Sequence, residues 1–382
     1  MTLHAQYYQS LVIHEQRFLK NINTLQLYFR KPLGVVVKGN AYGHGLMEAS
    51  QLFIKAGVKR LICYHLTDAL TLREKYSEIS ILLIGPVEIG DLKNCAQKRI
   101  ELTIWSLSFL RTLLEYWDNS GANHPKLSVH LEMETGMYRT GIVPEEFWKE
   151  GKGVFDHAGV QIIGFSTHLS GADEKENMER VKKQLHEFRS FQDQVRNVLP
   201  RRASDLEWHG PNSAGLMLDS LDFFTHSRIG LLAYGFFPSE FSRSLWPAEY
   251  DEPSPALEWN SSVAGYQDIP SGKYTGYGQT CQTENKTKTV MIPTGYGDGF
   301  PRALSNNWKV KISEQYCPII GRVNMNQIIV DVGVKNSPKP EKSVKLIEAK
   351  GEFDWYHASR ISGRFIYELL TGISPKIVRQ IN

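Results

Sequence analysis

Eight short apolar runs, separated by amphipathic stretches, restrict the fold of this chain more than any other feature of its sequence. They cover residues 35–38, 60–64, 81–84, 100–104, 127–132, 160–165, 206–209 and 227–230. Helical patterns fill the intervals, most plainly over residues 175–199, ahead of Pro200. Eight strands alternating with helices predict a (β/α)8 barrel, whose chemistry lies at the carboxyl ends of its strands. An open doubly wound sheet would alternate similarly, although no GxGxxG motif follows any of these strands.

The segments on either side of this pattern differ from it. Residues 10–30 have apolar side chains at helical spacing and predict an amphipathic helix. Prolines among polar residues over 235–255 predict a connection between domains. Strand patterns follow at 288–292, 309–312, 319–323 and 328–332, with little helix before the last few residues. We therefore predict an α/β chain, with a (β/α)8 barrel domain over residues 1–240 and a mostly β C-terminal domain over residues 241–382.

Composition excludes some classes of protein and sets the expected location. The 382 residues suffice for two domains with sizeable cores. Because the net charge is only +3 and the basic residues are dispersed, we expect no nucleic-acid partner and no membrane-surface partner. No apolar run is long enough to span a membrane, and the amino terminus lacks the layout of a signal peptide. We expect a cytoplasmic protein.

Lys38 ends the first predicted strand and precedes a glycine-rich turn, GNAYGHG. Burial at the mouth of a barrel lowers the pKa of a lysine, and a neutral amine is the form that attacks a carbonyl compound such as pyridoxal phosphate. The alternative is a lysine that extends along the edge of the strand to water, which is the more common arrangement when nothing else surrounds it.

Other polar side chains follow the later strands of the predicted barrel. In chain order they are Glu132, Arg139, His168, His209 and Arg228. The turn containing Ser213 and the turn at Gly230 come after the seventh and eighth strands. Barrels commonly bind a phosphate there, through backbone N–H groups and a hydroxyl.

Each of these residues also has a purely structural interpretation. The histidines could be satisfied core side chains, the arginines could form ordinary ion pairs, and Ser213 could cap a helix. Histidines at strand ends also suggest a metal-dependent hydrolase. The chain has no HxH pair and no acidic residue placed to complete such a set, so we predict no metal site.

Nine motifs, in their order along the chain, resemble those of bacterial alanine racemases. They are VVVKGNAYGHG, HLEMETGMYRTGI, STHLSGAD, HGPNSAG, SRIGLLAYG, TGYGQT, IPTGYGDGFPRALSN, IIGRVNMNQIIVDVG and FIYELLTGISPKIVR. Each motif is short, but the ordered set spans almost the whole chain and is specific. The resemblance implies a pyridoxal-phosphate enzyme, assembled as a head-to-tail homodimer, that interconverts L-alanine and D-alanine and supplies D-alanine for peptidoglycan.

The resemblance also implies roles for the central residues. Lys38 would hold the cofactor covalently and act as one of two catalytic bases. Tyr277, supplied by the partner subunit, would be the base on the opposite face of the substrate. Arg228 would face the pyridine nitrogen and leave it unprotonated, because a guanidinium does not give up its proton. His168 would lie between Arg228 and Tyr277.

The remaining site residues fall into three groups under the same resemblance. Those that bind the cofactor are Tyr42, Ser213, His209, Gly230 and Tyr367, with Lys38 and Arg228. Those that receive the substrate carboxylate are Arg139 and the backbone at Met325. Those that line a narrow corridor and screen substrates by size are Asp173, Tyr296, Arg302 and Arg322.

Three positions depart from the family pattern. Glu132 stands where many members have a lysine that becomes carbamylated and holds the carboxylate-binding arginine. Because Glu132 is already anionic, we expect it to position Arg139 directly. Asn324 and Asn326 stand where cysteine or serine and aspartate are commoner, which makes a strict preference for alanine less secure than racemase activity.

Three other activities remain as alternatives. A serine racemase or a racemase of broader specificity would use the same scaffold. A pyridoxal-dependent decarboxylase would be expected to lack the tyrosine of the GYG motif and to use another partner for the pyridine nitrogen, so Tyr277 and Arg228 count against it. A non-catalytic carrier of pyridoxal phosphate would need only the barrel, and the long β domain counts against it.

Overall fold

The computed structural model describes residues 8–119, 125–200, 203–219, 221–334 and 342–382. The chain divides into two compact units. The β unit comprises Met1–Phe18, Gly39–Ala49 and Ser254–Asn382, and the barrel unit comprises Leu19–Lys38 and Ser50–Pro253. The sequence prediction gave each domain one continuous segment, whereas two N-terminal segments are grouped here with the C-terminal part of the chain.

Strand β1, Ser10–Ile13, comes before the first helix, Glu15–Phe29. The prediction of a single helix over residues 10–30 is therefore wrong for its first residues. Leu11 and Ile13 are fully buried and alternate with partly exposed neighbours, which is the two-residue period of a strand. Pairing with distant strands decides the conformation of this segment, and the helical spacing of its apolar residues does not.

Eight parallel strands form the sheet of the barrel unit and confirm the predicted (β/α)8 fold. They are β2 Leu33–Val36, β3 Arg60–Cys63, β4 Ser80–Leu83, β5 Ile100–Ile104, β6 Leu127–Glu132, β7 Val160–Ser166, β8 Glu207–His209 and β9 Ser227–Ile229. Their order is β8-β7-β6-β5-β4-β3-β2-β9, and a single parallel bridge between His209 and His226 nearly closes the sheet. Strand β2 ends two residues before Lys38, so this lysine lies in the loop after the strand.

Helices occupy most of the intervals between these strands. They are Leu46–Lys55, Leu66–Lys75, Leu92–Gln97, Leu107–Asp118, Pro144–Glu146 and Met178–Val198, with Glu240–Ser244 after the last strand. The interval between β8 and β9 holds only the 3-10 turn Gly215–Met217. Within the described residues, no helix is long and apolar enough to cross a membrane.

Aromatic side chains fix the longest helix against the barrel. Phe188 and Phe191 of Met178–Val198 are buried and pack on Phe165 of β7 and Trp208 of β8, with ring centroids 5.1 Å apart for Phe191 and Phe165. Each such ring removes a large apolar area from water. The contact holds the carboxyl ends of β7 and β8 in place, where His168 and His209 lie.

The β unit contains two sheets. Its strands, besides β1, are β10 Leu257–Ser262, β11 Gly265–Ile269, β12 Thr287–Ile292, β13 Lys309–Ile312, β14 Gln315–Pro318, β15 Ile328–Asp331, β16 Ser343–Ile347 and β17 Val378–Ile381. Six strands form a sheet in the order β14-β13-β16-β10-β1-β17, and β11-β12-β15 form the other. The strand expected over residues 319–323 is absent from the described structure: Ile319 makes only an isolated bridge to Val330, and Gly321, with a φ of 77°, leaves the extended conformation. Helices Trp355–Ser362 and Ile366–Thr371 follow β16.

Candidate active site

Lys38 opens a tight turn that leads away from β2. Gly39, Asn40 and Ala41 all have positive φ angles, of 62°, 52° and 53°, so the backbone there is left-handed. Neighbouring groups desolvate the Lys38 amine and lower its pKa, although the residue keeps an exposed surface, and the positive charges of Arg139 and Arg228 lower that pKa further. These effects favour the neutral amine that a carbonyl compound requires.

Arg228 lies in β9 and is held at two points within the barrel unit. Its Nη2 donates to the backbone oxygen of Thr167 at 2.7 Å, and its Nη1 donates to Oε2 of Glu132 at 3.3 Å. The side chains of Arg228 and Glu132 are only 5% and 9% exposed. Burial lowers the pKa of Arg228, and the carboxylate of Glu132 opposes that effect.

From the sequence we expected Glu132 to position Arg139 directly, but the two side chains form no hydrogen bond or ion pair in the described structure. The second oxygen of Glu132, Oε1, accepts a hydrogen bond from Oγ1 of Thr140 at 2.9 Å. Within the described residues, the Arg139 side chain is exposed and makes no hydrogen bond or ion pair. The expectation failed because Glu132 ends β6 with its side chain toward β9, whereas Arg139 lies on the turn beyond it.

That turn is held by a different carboxylate, Glu134. Its Oε1 accepts from the backbone N–H groups of Gly136 and Met137, the latter at 2.7 Å. Its Oε2 accepts from the N–H of Tyr138 at 2.8 Å. Three backbone bonds to one carboxylate fix the loop that carries Arg139.

The loops after β8 and β9 meet at the hydroxyl of Ser213. Its Oγ accepts hydrogen bonds from the N–H groups of Gly230 and Leu232, both at 3.1 Å. Asn212 stabilises the same loop by accepting from the N–H of Gly215 at 2.8 Å. The N–H groups of Gly230 and Leu232 are engaged by this oxygen, and the Ser213 hydroxyl keeps its own proton to donate to a phosphate.

Two further residues predicted to bind the cofactor are neighbours in the β unit. The rings of Tyr42 and Tyr367 lie 6.0 Å apart at an angle of 53°. Tyr42 is buried, and burial raises the pKa of its phenol, with the charge of Tyr367 adding to that effect. The Tyr42 hydroxyl therefore stays protonated at neutral pH and can act as a donor.

His168 follows β7 and is surrounded by cations. Burial lowers its pKa to about 3, with contributions from Arg228, Arg139 and Lys38. The imidazole is therefore neutral at pH 7.

His209 belongs to a buried chain of polar groups inside the barrel. Its Nε2 lies 2.9 Å from Nδ1 of His130, whose Nε2 lies 3.2 Å from Oε2 of Glu101. Burial lowers the pKa of both histidines, so both rings are neutral. Since a carboxylate only accepts, His130 donates through Nε2 and His209 in turn donates through its own Nε2. Nδ1 of His209 then carries a lone pair, and it is buried without a hydrogen-bond partner in the described structure.

The sequence analysis missed His130, Glu101 and Arg60, which support His209. Arg60 is bonded to both Glu101 and Glu207, with Nη2 3.1 Å from Oε2 of Glu101. The signal that could have identified them is a charged residue within otherwise apolar strands, since such a residue is buried only with partners.

Tyr277 lies in the β unit between two glycines that its turn requires. Gly276 and Gly278 have φ angles of 69° and 73°, and a Cβ on Gly278 would lie 2.7 Å from Cζ of Arg322. The Tyr277 side chain is 74% exposed. The GYG motif therefore presents a phenol on a turn whose left-handed backbone favours glycine on both sides of Tyr277.

One cavity of about 470 Å³ lies in the β unit. The residues of this unit that we predicted to act on the substrate, to bind it or to screen it by size all line this cavity. Its lining residues are Tyr277, Tyr296, Arg302, Arg322, Val323, Asn324, Met325, Asn326 and Gln327. The backbone holds it together, because Tyr296 N donates to Asn324 O at 3.0 Å. The described lining contains two arginines and no carboxylate. Asp173 lies in the barrel unit, where its backbone oxygen accepts from Oγ of Ser239 at 2.6 Å.

Both parts of the chain match known families. Residues 13–238 match the family described as alanine racemase, N-terminal domain, and residues 256–381 match alanine racemase, C-terminal domain. An alanine racemase from Clostridium perfringens (strain ATCC 13124) is 31% identical over 355 residues, which are 91% of this chain and 88% of that protein. The eight-stranded barrel, the mostly β unit and the basic cluster around Lys38 define an isomerase of the racemase class. The chain belongs to the alanine racemase family.

Solved structures agree with this assignment. The alanine racemase of Clostridium difficile 630 has a TM-score of 0.88 and 26% identity, and the match covers 100% of this chain and 96% of that chain. A histidine racemase from Leuconostoc mesenteroides has a TM-score of 0.85 and 23% identity, covering 99% of both chains, and at that identity it shows the fold alone.

Proposed function

We propose that this protein interconverts L-alanine and D-alanine with pyridoxal phosphate as cofactor, in the cytoplasm, and supplies D-alanine for peptidoglycan. One observation carries the proposal. Lys38, whose amine has a lowered pKa, lies at the carboxyl end of the barrel under the charges of Arg139 and Arg228, in a chain of the alanine racemase family.

Donors from both units fit the proposed cofactor. Ser213 and the loop at Gly230 would hold its phosphate, and the neutral amine of Lys38 would hold its aldehyde carbon. Tyr42 and Tyr367 would add phenol donors, and His209 would support the ring from the barrel core. When bound, pyridoxal phosphate supplies an electron-accepting ring that stabilises negative charge at the substrate α carbon.

Two bases would then exchange the α proton. Nζ of Lys38 would remove or return it on one face, and Oη of Tyr277, from the partner subunit, would do so on the other. The homodimer is therefore part of the proposal, because each C-terminal domain would complete the partner's site. The exposed position of Tyr277 supports this arrangement.

Arg228 and His168 would set the electrostatics of the reaction. Arg228 would face the pyridine nitrogen and leave it unprotonated, which limits side reactions. The neutral His168 would relay hydrogen bonding between Arg228 and the Tyr277 phenol.

The substrate carboxylate would be received by Arg139 and the backbone at Met325. Arg139 is exposed and makes no side-chain hydrogen bond within the described residues, so its planar fork is available for a carboxylate. Asp173, Tyr296, Arg302 and Arg322 would limit the size of the substrate.

The direct test is turnover of L-alanine and D-alanine by the full-length protein with added pyridoxal phosphate. Borohydride reduction should attach the cofactor to Lys38. Tyr277→Phe should nearly abolish interconversion while the cofactor remains bound. Racemisation that survives this change intact would contradict the two-base assignment, and release of carbon dioxide would indicate a decarboxylase. Bound cofactor without any turnover would indicate a carrier.

A racemase of broader specificity is the second candidate. The described lining of the β-unit cavity contains no carboxylate, and Asn324 and Asn326 are neutral. The same fold also occurs in a histidine racemase, so the fold alone does not define the substrate. Comparing kcat/KM for alanine, serine and lysine would separate the two candidates.

A further inference from the structure

The charges around Lys38 are unevenly compensated. Arg139 and Arg228 are cations whose fields overlap at Lys38, since both lower the pKa of its amine. Two carboxylates lie nearby, Glu132 and Glu134, at the end of β6 and just beyond it. Their hydrogen-bond partners differ: Glu132 accepts from Arg228, and Glu134 accepts from backbone N–H groups of the turn that carries Arg139.

Glu132 is committed to Arg228. It is buried, its Oε2 lies 3.3 Å from Nη1 of Arg228, and its Oε1 is occupied by the Thr140 hydroxyl. Removing one member of a buried ion pair leaves the other charge without compensation, which is strongly unfavourable. Together with the Thr167 carbonyl, Glu132 also fixes the plane of the guanidinium.

Glu134 is committed to the turn that carries Arg139. Both of its oxygens accept backbone N–H groups, those of Gly136, Met137 and Tyr138. Neither carboxylate pairs with Arg139 itself, so within the described residues this guanidinium has no counter-ion.

We infer that Glu132 is the counter-ion and positioning residue of Arg228, while Glu134 positions Arg139 through the backbone. The inference rests on the proposed function. Glu132 holds a compensated guanidinium toward the ring nitrogen, and Arg139 presents an uncompensated one to the substrate carboxylate. A change at Glu132 therefore acts on the cofactor and on kcat, and a change at Glu134 acts on substrate binding and on KM.

Glu132→Gln and Glu134→Gln form a matched pair, because each keeps the size of the side chain and removes its charge. In the full-length protein loaded with pyridoxal phosphate, Glu132→Gln should lower kcat for alanine by about tenfold with KM changed less than about twofold. It should also shift the absorption band of the bound cofactor and raise the dissociation constant of the cofactor. Glu134→Gln should raise KM by about tenfold and leave the absorption band in place.

A double-mutant cycle on the cofactor dissociation constant identifies the partner of Glu132. Glu132→Gln combined with Arg228→Lys should be strongly non-additive, whereas Glu132→Gln combined with Arg139→Lys should be additive. Glu132→Asp, which keeps the charge on a shorter arm, should restore part of kcat.

The outcomes separate this inference from the proposed function. A wild-type protein that neither binds pyridoxal phosphate nor racemises alanine contradicts the proposed function. An active wild type in which Glu132→Gln raises KM, leaves the absorption band unchanged and couples to Arg139 overturns the inference alone.

Discussion

The reactivity of single residues in the barrel unit depends on partners that are distant in sequence. Lys38 owes its lowered pKa first to burial and then to Arg139 and Arg228, which come from the turn after β6 and from β9. Ser213 similarly connects two loops through one oxygen atom. Replacing one such side chain should therefore change one measurable property of the site.

Removing the Ser213 hydroxyl should weaken cofactor binding. Ser213→Ala should raise the dissociation constant of pyridoxal phosphate by about tenfold, because it removes one donor to the phosphate and leaves the N–H groups of Gly230 and Leu232 without their acceptor. An absorbance titration measures this constant. Ser213→Thr keeps the hydroxyl and serves as the control, and equal affinity of the alanine variant and the wild type would exclude Ser213 from the phosphate site.

At the scale of elements, the barrel strands carry a polar chain through an otherwise apolar core. Strands β5, β6 and β8 contribute Glu101, His130 and His209, and the ring of His209 stacks on that of His226 with centroids 4.5 Å apart. Each of these buried rings has a lowered pKa, caused first by burial. Because these histidines are neutral when the protein is folded, the stability of this row of polar groups depends on pH.

Stability should therefore fall as the pH falls below about 6.5. The unfolded chain binds protons at its histidines below that pH, while the folded chain does not, so acid favours unfolding. Each such histidine contributes about 1.4 kcal/mol per pH unit. Urea unfolding at several pH values measures the slope. His209→Gln should lower the slope of the unfolding free energy against pH by about 1.4 kcal/mol per pH unit, the contribution of one histidine. Replacement of the exposed His186 by Gln is the control.

The turn that presents Tyr277 should be sensitive to a single added methyl group. Gly278→Ala forces a left-handed backbone on alanine, and its Cβ, 2.7 Å from Cζ of Arg322, makes this guanidinium move within the cavity beside Tyr277. Both stability and racemisation should therefore fall. Gly272→Ala is the matched control, because Gly272 has a φ of 75° but no atom within 4 Å of the added Cβ. It should lose about 1 kcal/mol of stability and keep its turnover. Thermal unfolding and the racemase assay distinguish the two variants.

Elements whose pattern is local could be predicted from the sequence, and elements defined by distant partners could not. The eight barrel strands have apolar runs that suffice to identify them, and Ile100–Ile104 and Leu127–Glu132 match to the residue. Strand β1 was misread because its partners lie almost at the other end of the chain. The partner of Glu132 was also missed, since spacing along β6 does not indicate that its last side chain reaches β9, which is not adjacent to β6 in the sheet.

At the scale of the whole molecule, the proposed mechanism divides its bases between two chains. Lys38 belongs to the barrel unit and Tyr277 to the β unit, where its side chain is 74% exposed. Under the proposed homodimer, an active site combines Lys38 of one chain with Tyr277 of the other. Complementation between inactive variants can test this directly.

Mixing Lys38→Ala with Tyr277→Phe should restore activity. Each variant alone should be inactive, but a heterodimer contains one intact site. Random reassociation of equal amounts should therefore give about a quarter of the wild-type rate. Unfolding and refolding the two variants together, followed by the racemase assay, measures it. No recovery, with heterodimers verified by tags on the two chains, would place both bases in the same chain.

Strand β1 has a consequence for the order in which the protein folds during synthesis. It lies between β10 and β17, pairing antiparallel with the first and parallel with the second. A ribosome makes Ser10–Ile13 long before it reaches Val378–Ile381. The barrel strands can associate while β1 still lacks both neighbours, so the place beside the edge strand of the six-stranded sheet is completed late. A chain that lacked β17 would expose one side of β1 as an unpaired edge.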